Sequence, residues 1–219
     1  MKNLTWQNPE QLFVAQELIN KVKSKCCGIK VVYSAAETAT INDVMATGNS
    51  GPDMWADCRV HDVKHHISVH TLTEQGCLCA YCEALLKKGT TSIEHFVPKS
   101  RHREFTFEPL NLTSACGRCN ATAIKGSKET IVGAINPNYS SNTFKIVHPR
   151  LDNPNAHIIF QDADRTIFDK VHCSQLGLDT IDFFEWDNLD AYLVRVQTTA
   201  VRNLPNNIRQ LISEISTYK

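Results

Sequence analysis

The sequence lacks an excess of charge of either sign, a long hydrophobic run and a low-complexity tract. Its 219 residues hold 23 Lys and Arg against 23 Asp and Glu. The overall positive charge common in nucleic-acid-binding proteins is therefore absent, and a polyanion would have to be bound by local charge. No apolar stretch is long enough to cross a bilayer, and the first residues do not follow the layout of a secretion signal. A hydrophobic content of 42% is normal for a folded protein, so the composition predicts a folded, cytoplasmic protein.

The charges are unevenly distributed along the chain. Residues 77–130 carry eight basic and five acidic side chains, whereas residues 151–219 carry six basic and ten acidic ones. The central segment is therefore the better candidate for contact with phosphate, and the acidic end from residue 151 is a candidate docking surface for a partner protein.

Apolar periodicity predicts helices at both ends of the chain. The pattern indicates helices over 9–24, from Val60 to Leu72, near 179–203 and over 206–217. A short strand is expected over Ile29–Tyr33, and a loop rich in Gly, Asn, Ser and Pro over 47–53. These patterns predict an α+β protein in three parts: an N-terminal helical region (1–76), a central module (77–130) and a mainly helical C-terminal region (131–219). We expect the three parts to form one compact unit.

Two Cys-x-x-Cys pairs predict a structural zinc site. Cys79 and Cys82 precede Cys116 and Cys119 by 33 intervening residues, and four thiolates in two such pairs are a common ligand set for zinc. A redox dithiol needs only one pair, so the spacing favours zinc. Cys77 could replace Cys79 as a ligand, but the wider gap makes this the weaker alternative. A zinc ion with four thiolate ligands has no open position for water, so any reaction must use another centre.

The segment between and after these pairs resembles the HNH endonuclease family. Glu94 and His95 are adjacent, Asn111 follows His95 after fifteen intervening residues, and Asn120 follows Asn111 after eight. The family has a ββα-metal core with an acidic residue and a histidine on the first strand, an asparagine on the second, and a further Asn or His on the helix. The resemblance covers about residues 77–130 and implies a treble-clef-like ββα-metal module, stapled by zinc and surrounded by helices.

Within the family, the chain is most similar to the PtuB proteins, the HNH components of Septu-type antiphage systems that are also found with some retrons. The segments that carry this similarity include those from Cys79 to Glu83 and from Asn111 to Lys125, together with His148 and Asp152. PtuB proteins work with PtuA, an ATPase, so a PtuA-like partner is implied. No catalytic role is assigned to His148 or Asp152.

The resemblance implies a role for each residue of the motif. His95 is the expected general base, because a neutral imidazole can accept a proton at cellular pH. Glu94 and Asn120 are expected to bind the catalytic divalent ion, Mg²⁺ or Mn²⁺, through oxygen atoms. Asn111 is expected to orient the segment that carries the histidine. Because Glu94 and His95 are neighbours on a strand, both can serve one site only if the strand bends or ends there.

Basic residues around the motif are candidates for phosphate contact: Arg101, Arg103, Arg118 and Lys125. Taken singly, each motif residue also has an ordinary structural interpretation: His95 as a packed histidine, Asn111 as a loop amide and Asn120 as the cap of a turn. Their combination with the four cysteines favours catalysis.

The sequence therefore predicts a divalent-metal-dependent HNH endonuclease that hydrolyses nucleic-acid phosphodiester bonds, with DNA as the expected substrate. The resemblance implies products with a 5′-phosphate and a 3′-hydroxyl. Two alternatives stay open: a nuclease of RNA, for example tRNA, with the same site, and a non-catalytic zinc-folded adaptor.

Overall fold

The computed structural model describes residues 30–86 and 91–215. The helices are α1 (Ala35–Ala46), α2 (Gly51–Ala56), α3 (His61–Glu74), α4 (Gln175–Phe183), α5 (Leu189–Arg202) and α6 (Asn206–Ile215). The strands are β1 (Thr91–His95), β2 (Leu112–Cys116), β3 (Ile131–Val132) and β4 (Thr143–Phe144). This mixture of helices and small sheets confirms the α+β class. The helix predicted over 9–24 lies outside the described residues. None of the described helices is long and apolar enough to span a membrane.

An antiparallel hairpin of β1 and β2 lies at the centre of the fold. Its register places Thr91 opposite Cys116. Because successive strand residues point to opposite faces, Ser92 and Glu94 share one face of β1, and His95 lies on the other. The strands β3 and β4 form a second, separate antiparallel pair.

The N-terminal helices pack on the His95 side of this hairpin. Their apolar side chains form an N-terminal cluster with the hairpin and the loop before β2, with members that include Val44, Met54, Ile67, Phe107 and Leu112. At the end of α3, Gln75 joins this layer to β2: its Nε2 donates to Ser114 O (2.8 Å) and its Oε1 accepts from Ser114 N (2.8 Å). A side-chain amide thus provides both hydrogen bonds that a neighbouring strand would make at this position.

A second apolar cluster, the central cluster, connects the cysteine pairs to the C-terminal region. It includes Cys79, Phe96, Ile146, Ile181 and Phe184, all less than a tenth exposed. The hairpin therefore has buried apolar contacts with the described segments that precede it and follow it in the sequence, which holds its residues in a rigid setting.

The structure differs from the sequence analysis at three places in the segment before α3. Residues 30–33 belong to no strand, although Ile29–Tyr33 was expected to form one. Helix α1 was missed because its Ala- and Thr-rich sequence has no apolar periodicity, yet Ser34 and Glu37 form a capping box at its start. The loop predicted over 47–53 is shorter than expected, because Ser50 caps α2.

The helix predicted near 179–203 is two helices. Helix α4 ends at Phe183, Glu185 adopts a left-handed backbone conformation with φ of 53°, and Asn188 caps α5 by accepting from Ala191 N (2.8 Å). A left-handed residue cannot continue a right-handed helix, so the chain turns here. The helices predicted from Val60 to Leu72 and over 206–217 are confirmed as α3 and α6, with small differences at their ends.

Candidate functional site

The four paired cysteines come together in space. Their Sγ atoms all lie within 4.8 Å of one another, and Cys82 Sγ is 3.7 Å from Cys116 Sγ. A tetrahedral zinc ion with Zn–S bonds of about 2.3 Å separates its sulfurs by about 3.8 Å, so the spacing suits that ion. The set includes Cys79, whereas Cys77 is not part of it.

Local hydrogen bonds prepare these sulfurs to act as metal ligands. The amide of Cys116 donates to Cys79 Sγ (3.4 Å), and the amide of Cys119 donates to Cys116 Sγ (3.5 Å). Hydrogen bonds from the other three thiols hold the pKa of Cys116 far below its ordinary value, and the same bonds to Cys116 raise the pKa of Cys82 and Cys119. The four cysteines could therefore bind a metal such as zinc, as their spacing predicts.

The chain after the second pair is not helical. Residues 117–127 form successive turns, with Ala121 N bonded to Arg118 O (3.1 Å) and Ile124 N to Ala121 O (3.0 Å). Gly117, Thr122 and Gly126 have poor helix propensity, and long-range contacts of Cys119, Asn120 and Lys125 anchor the segment instead. The helix expected from the HNH resemblance is thus absent from the described residues, and the ββα core is not confirmed.

His95 is buried at the end of β1 in one defined tautomer. Its Nε2 lies 3.0 Å from the carbonyl oxygen of Thr106. Because a carbonyl can only accept a hydrogen bond, Nε2 must carry the proton, and the basic lone pair lies on Nδ1. The edge of the ring meets Trp55 at a centroid distance of 4.5 Å. Burial, and then the charge of Lys99, hold the pKa of His95 well below its ordinary 6.5, so the ring is neutral at neutral pH.

Lys99 covers the basic atom of this ring. Its Nζ lies 3.4 Å from His95 Nδ1 and 5.8 Å from the centroid of the Trp55 ring. Burial lowers the pKa of Lys99, while the charge of Glu94 raises it. Lys99 therefore interacts with both members of the Glu94–His95 pair, although these two side chains leave the strand on opposite faces.

Glu94 forms a buried ion pair with Lys125. Lys125 Nζ is 2.5 Å from Glu94 Oε1, and the two side chains are 0% and 6% exposed. The same Nζ donates to the carbonyl of His95 (2.8 Å). Burial raises the pKa of Glu94, and the charge of Lys125 opposes that shift. The ammonium group of Lys125 is directed into the core in this conformation, so the expected contact with substrate phosphate stays a prediction that requires this group to move.

Asn120 lies on the Glu94 side of β1. Its Nδ2 donates to Ser92 Oγ (2.6 Å), and Ser92 shares a face with Glu94. This bond fixes the orientation of the amide and leaves Oδ1 as the atom that could bind a cation. The structure thus brings Asn120 and Glu94 to one face of the strand and places His95 on the other, near the point where the strand ends.

Asn111 ties together two parts of the histidine loop, the segment 96–111 between β1 and β2. Its Nδ2 donates to Val97 O (3.0 Å) and Phe105 O (2.8 Å), and its Oδ1 accepts from Val97 N (2.6 Å). Phe105 precedes Thr106, whose carbonyl fixes the tautomer of His95. Asn111 therefore controls the backbone on which the imidazole depends.

Two residues that sequence reasoning did not place in the site support Asn111. His148 Nδ1 accepts from the amides of Arg150 (3.1 Å) and Leu151 (3.2 Å), so its Nε2 carries the proton. Nε2 lies 2.9 Å from the hydroxyl of Tyr139, which donates to Asn111 Oδ1 (2.9 Å). The similarity to PtuB included His148 but gave it no role, and no sequence signal pointed to Tyr139.

The arginines predicted to contact phosphate have structural contacts. Arg103 donates to the carbonyls of Met45 (3.0 Å) and Gly48 (3.1 Å) and so fastens the histidine loop to the end of α1. Arg101 is exposed, and its Nε donates to Ser127 O (3.0 Å). Arg118 lies 3.4 Å from Glu185 O. No described residue pairs with the terminal nitrogens of Arg101, which could therefore contact a phosphate, whereas Arg103 is used to hold the fold.

A known protein is similar to part of this chain. The Septu protein PtuB of Bacillus thuringiensis is 30% identical over 97 residues, which are 43% of this chain and 33% of that protein. This similarity supports a PtuB-like relationship. The chain aligns with about a third of the length of PtuB. No protein-family model and no solved structure matches the chain.

Proposed function

We propose that the protein is a divalent-metal-dependent nuclease of the HNH type that acts in the cytoplasm as the effector of a PtuB-like antiphage system. The observation that carries this proposal is the environment of His95. The ring is neutral, its Nε2 proton is committed to Thr106 O, and its basic Nδ1 lies beside a lysine at the end of a strand. A purely structural histidine does not need a basic atom next to a half-buried ammonium group.

The reaction would use Nδ1 of His95 to accept the proton of the attacking water. In the free protein Lys99 Nζ is directed to that atom. A substrate phosphate is a stronger acceptor for an ammonium group than a neutral imidazole, so substrate binding would draw Lys99 away and free Nδ1. The phosphate would also offset the charge of Lys99, which after burial is the second cause of the lowered pKa of His95, and so would raise that pKa in the direction that favours a general base.

Glu94 and Asn120 would hold the catalytic ion. A carboxylate and a carboxamide offer hard oxygen ligands on one face of β1, and two protein ligands leave positions for water and phosphate oxygens, as Mg²⁺ and Mn²⁺ require. When bound there, the ion would offset the negative charge that develops on the phosphate and on the leaving oxygen. Lys125 occupies one side of Glu94, so it would keep the carboxylate ionised and oriented.

We place the contact with a PtuA-like ATPase on the acidic C-terminal region. Leu189, Leu193 and Val196 of α5 are 70%, 47% and 43% exposed, and they follow one another at the spacing of a helix face. An apolar stripe beside acidic side chains suits a protein partner better than a nucleic acid. We expect the Leu193→Asp variant to stop co-purifying with the PtuA-like ATPase while its melting temperature stays unchanged.

The test compares the wild type with His95→Ala and with His61→Ala, which alters an exposed histidine on α3. Each protein is incubated with plasmid DNA and total RNA in Mg²⁺ or Mn²⁺, with and without a PtuA-like ATPase. We expect cleavage by the wild type and His61→Ala, and none by His95→Ala, with zinc content and melting temperature retained. Intact polymers in every wild-type sample would refute the proposal.

The same experiment separates the alternatives. Degradation of RNA alone identifies an RNA nuclease that uses the same site. Antiphage protection by His95→Ala that equals wild-type protection would identify a non-catalytic adaptor.

A further inference from the structure

A cavity outside the proposed nuclease site lies between the first cysteine pair and α5. It contains about 590 Å³ of empty space, part of which is open to solvent. The Ala80–Glu83 segment forms one wall and α5 another, and the other lining residues include Arg118, Phe160, Arg165, Phe168 and Trp186. Neither His95 nor Glu94 belongs to this lining.

Three buried donors around this cavity have no acceptor. The Tyr81 hydroxyl, Arg165 Nε and Trp186 Nε1 are shielded from solvent without a hydrogen-bond partner among the described residues, and all three residues line the cavity. Trp186 is only 6% exposed. Buried polar groups are nearly always paired in folded proteins. A guanidinium and an indole nitrogen can only donate, so a molecule that paired with them would have to offer acceptor atoms and to enter more deeply than solvent does.

The charge of the lining favours an anion. Arg118, Arg165, Arg195 and Arg202 surround the cavity, and among the described residues Glu83 is the only acidic one in the lining. Glu83 pairs with Arg165 NH1 (3.0 Å) and with Arg202 Nε (2.7 Å). The four guanidinium groups outnumber the one carboxylate, and their net positive charge is larger than the residual charge of about −2 on a neighbouring zinc tetrathiolate.

Aromatic side chains provide a second kind of contact. The lining includes Tyr81, Phe160, Phe168 and Trp186, and the guanidinium groups of Arg165 and Arg195 lie 4.8 Å and 4.3 Å from the rings of Phe160 and Phe168. A ligand that combines acceptor oxygens with a flat, weakly polar ring would satisfy both the donors and the aromatic surface. A nucleotide has this combination.

We propose that this cavity is a nucleotide-binding site distinct from the proposed nuclease site. The phosphate oxygens would accept from Arg165 Nε and from the Tyr81 hydroxyl, and the base would lie against the aromatic lining. The nucleotide is either a free mononucleotide or one unit of a single strand. This inference does not depend on nuclease activity, because binding is measured without cleavage.

The test measures binding by calorimetry, without added Mg²⁺ or Mn²⁺, on the zinc-loaded full chain carrying His95→Ala. The probes are AMP, short oligo(dT), short oligo(U) and inorganic phosphate. Tyr81→Phe removes only the hydroxyl, and Arg165→Gln removes one guanidinium. Arg59→Gln is the control, because its exposed guanidinium pairs with Asp57 outside the cavity.

We expect AMP or an oligonucleotide to bind more tightly than inorganic phosphate. Tyr81→Phe and Arg165→Gln should each weaken that binding about tenfold or more, and Arg59→Gln should leave it unchanged. Tyr81→Phe should not lower the melting temperature, because its hydroxyl has no partner to lose; this variant keeps the test valid if Arg165→Gln misfolds.

The probes distinguish the two sources of the nucleotide. Tight binding of AMP supports a free mononucleotide, and binding of oligonucleotides alone supports a strand. The proposal is overturned if no probe binds, if inorganic phosphate binds as tightly as the nucleotides, or if both cavity variants retain wild-type affinity.

Discussion

At the scale of single residues, the orientation of His95 depends on side chains far from it in the sequence. A continuous path of hydrogen bonds leads from His148 through Tyr139 to Asn111, and Asn111 holds the carbonyl of Phe105 next to Thr106. All the polar groups in this path are buried. Removal of the Tyr139 hydroxyl, which is not in contact with His95, should therefore change the orientation of the His95 imidazole.

Tyr139→Phe tests this dependence. Without the hydroxyl, the Nε2 proton of His148 loses its acceptor and Asn111 loses one donor, so we expect stability to fall by about 1–3 kcal/mol. We also expect cleavage to fall several-fold under conditions where the variant is fully folded. Urea unfolding and initial rates of cleavage measure the two effects.

Thr180→Val is the matched control for that substitution. It removes a buried hydroxyl that accepts from Val147 N (2.8 Å) but makes no contact with Asn111. It should cost similar stability and leave the cleavage rate unchanged. Equal losses of activity in both variants would show that the effect is not specific to Asn111.

The buried His148 should make stability depend on pH. Burial lowers its pKa to about 3, whereas the unfolded chain has a pKa of about 6.5 at this residue. Between these values the unfolded state binds more protons, so stability decreases as the pH falls below about 6.5, by up to about 1.4 kcal/mol per pH unit. His95 contributes in the same direction.

His148→Gln isolates that contribution. Glutamine keeps one acceptor and one donor but does not titrate, so its unfolding free energy should decrease less steeply between about pH 6.5 and pH 5. Denaturant titrations at several pH values measure the two slopes. Identical slopes for the wild type and the variant would contradict the prediction.

At the scale of elements, the close approach of α2 to the histidine loop explains how Trp55 reaches His95. Gly51 begins α2, and a Cβ at this position would collide with the carbonyl of Lys99 and lie 3.0 Å from Thr106 Oγ1. Only glycine allows the two backbones to come this close. The helix can therefore place Trp55 against the imidazole.

Gly51→Ala should separate α2 from this loop. Overpacking of this kind costs about 1–3 kcal/mol, and the displaced loop carries both Lys99 and Thr106, so cleavage should fall even when the protein is fully folded. Gly177→Ala is the control, because its Cβ would collide with the carbonyl of His157, away from His95. That variant should lose stability but keep its rate of cleavage. Melting curves measure the loss of stability in both variants, and initial rates measure their cleavage.

Some elements of the fold could be predicted from the sequence, and others could not. Cysteine spacing identified the thiol cluster, because two short pairs have few ways to arrange four sulfurs. Apolar periodicity identified α3 and α6. It did not identify α1, whose start is set by side-chain capping at Ser34, or the turns after Cys119, where tertiary anchors replace helical hydrogen bonds.

Side-chain partners were the least predictable feature of the site. Lys125 carries a charge within a motif that suggests phosphate binding, yet it is buried against Glu94. Its direction depends on the turn around Gly126, which has a φ of 43°. Pairings of this kind follow from the final packing of distant segments, so no local pattern reveals them.

At the scale of the whole molecule, the cysteine cluster joins the parts on which both proposed sites depend. Cys116 ends β2, which pairs with the strand carrying Glu94 and His95, and Cys82 lines the proposed nucleotide cavity. Cys79 and Cys119 are buried in the central cluster. A metal at this point would therefore cross-link the hairpin to the wall of the cavity.

Removal of zinc should therefore abolish cleavage and nucleotide binding together. We expect the purified protein to release about one zinc per chain on denaturation, and we expect Cys116→Ser to lower metal content and melting temperature strongly, because structural zinc contributes much of the folding free energy of small modules. Cys58→Ser, which alters an exposed thiol outside the cluster, is the matched control.

If the metal-free protein kept a cooperative melt at the original temperature and still bound nucleotide, the hairpin and the cavity would be held by the apolar clusters alone. If instead cleavage and nucleotide binding were lost in parallel and returned in parallel on adding zinc, the metal would be the element that holds the two sites in one rigid structure.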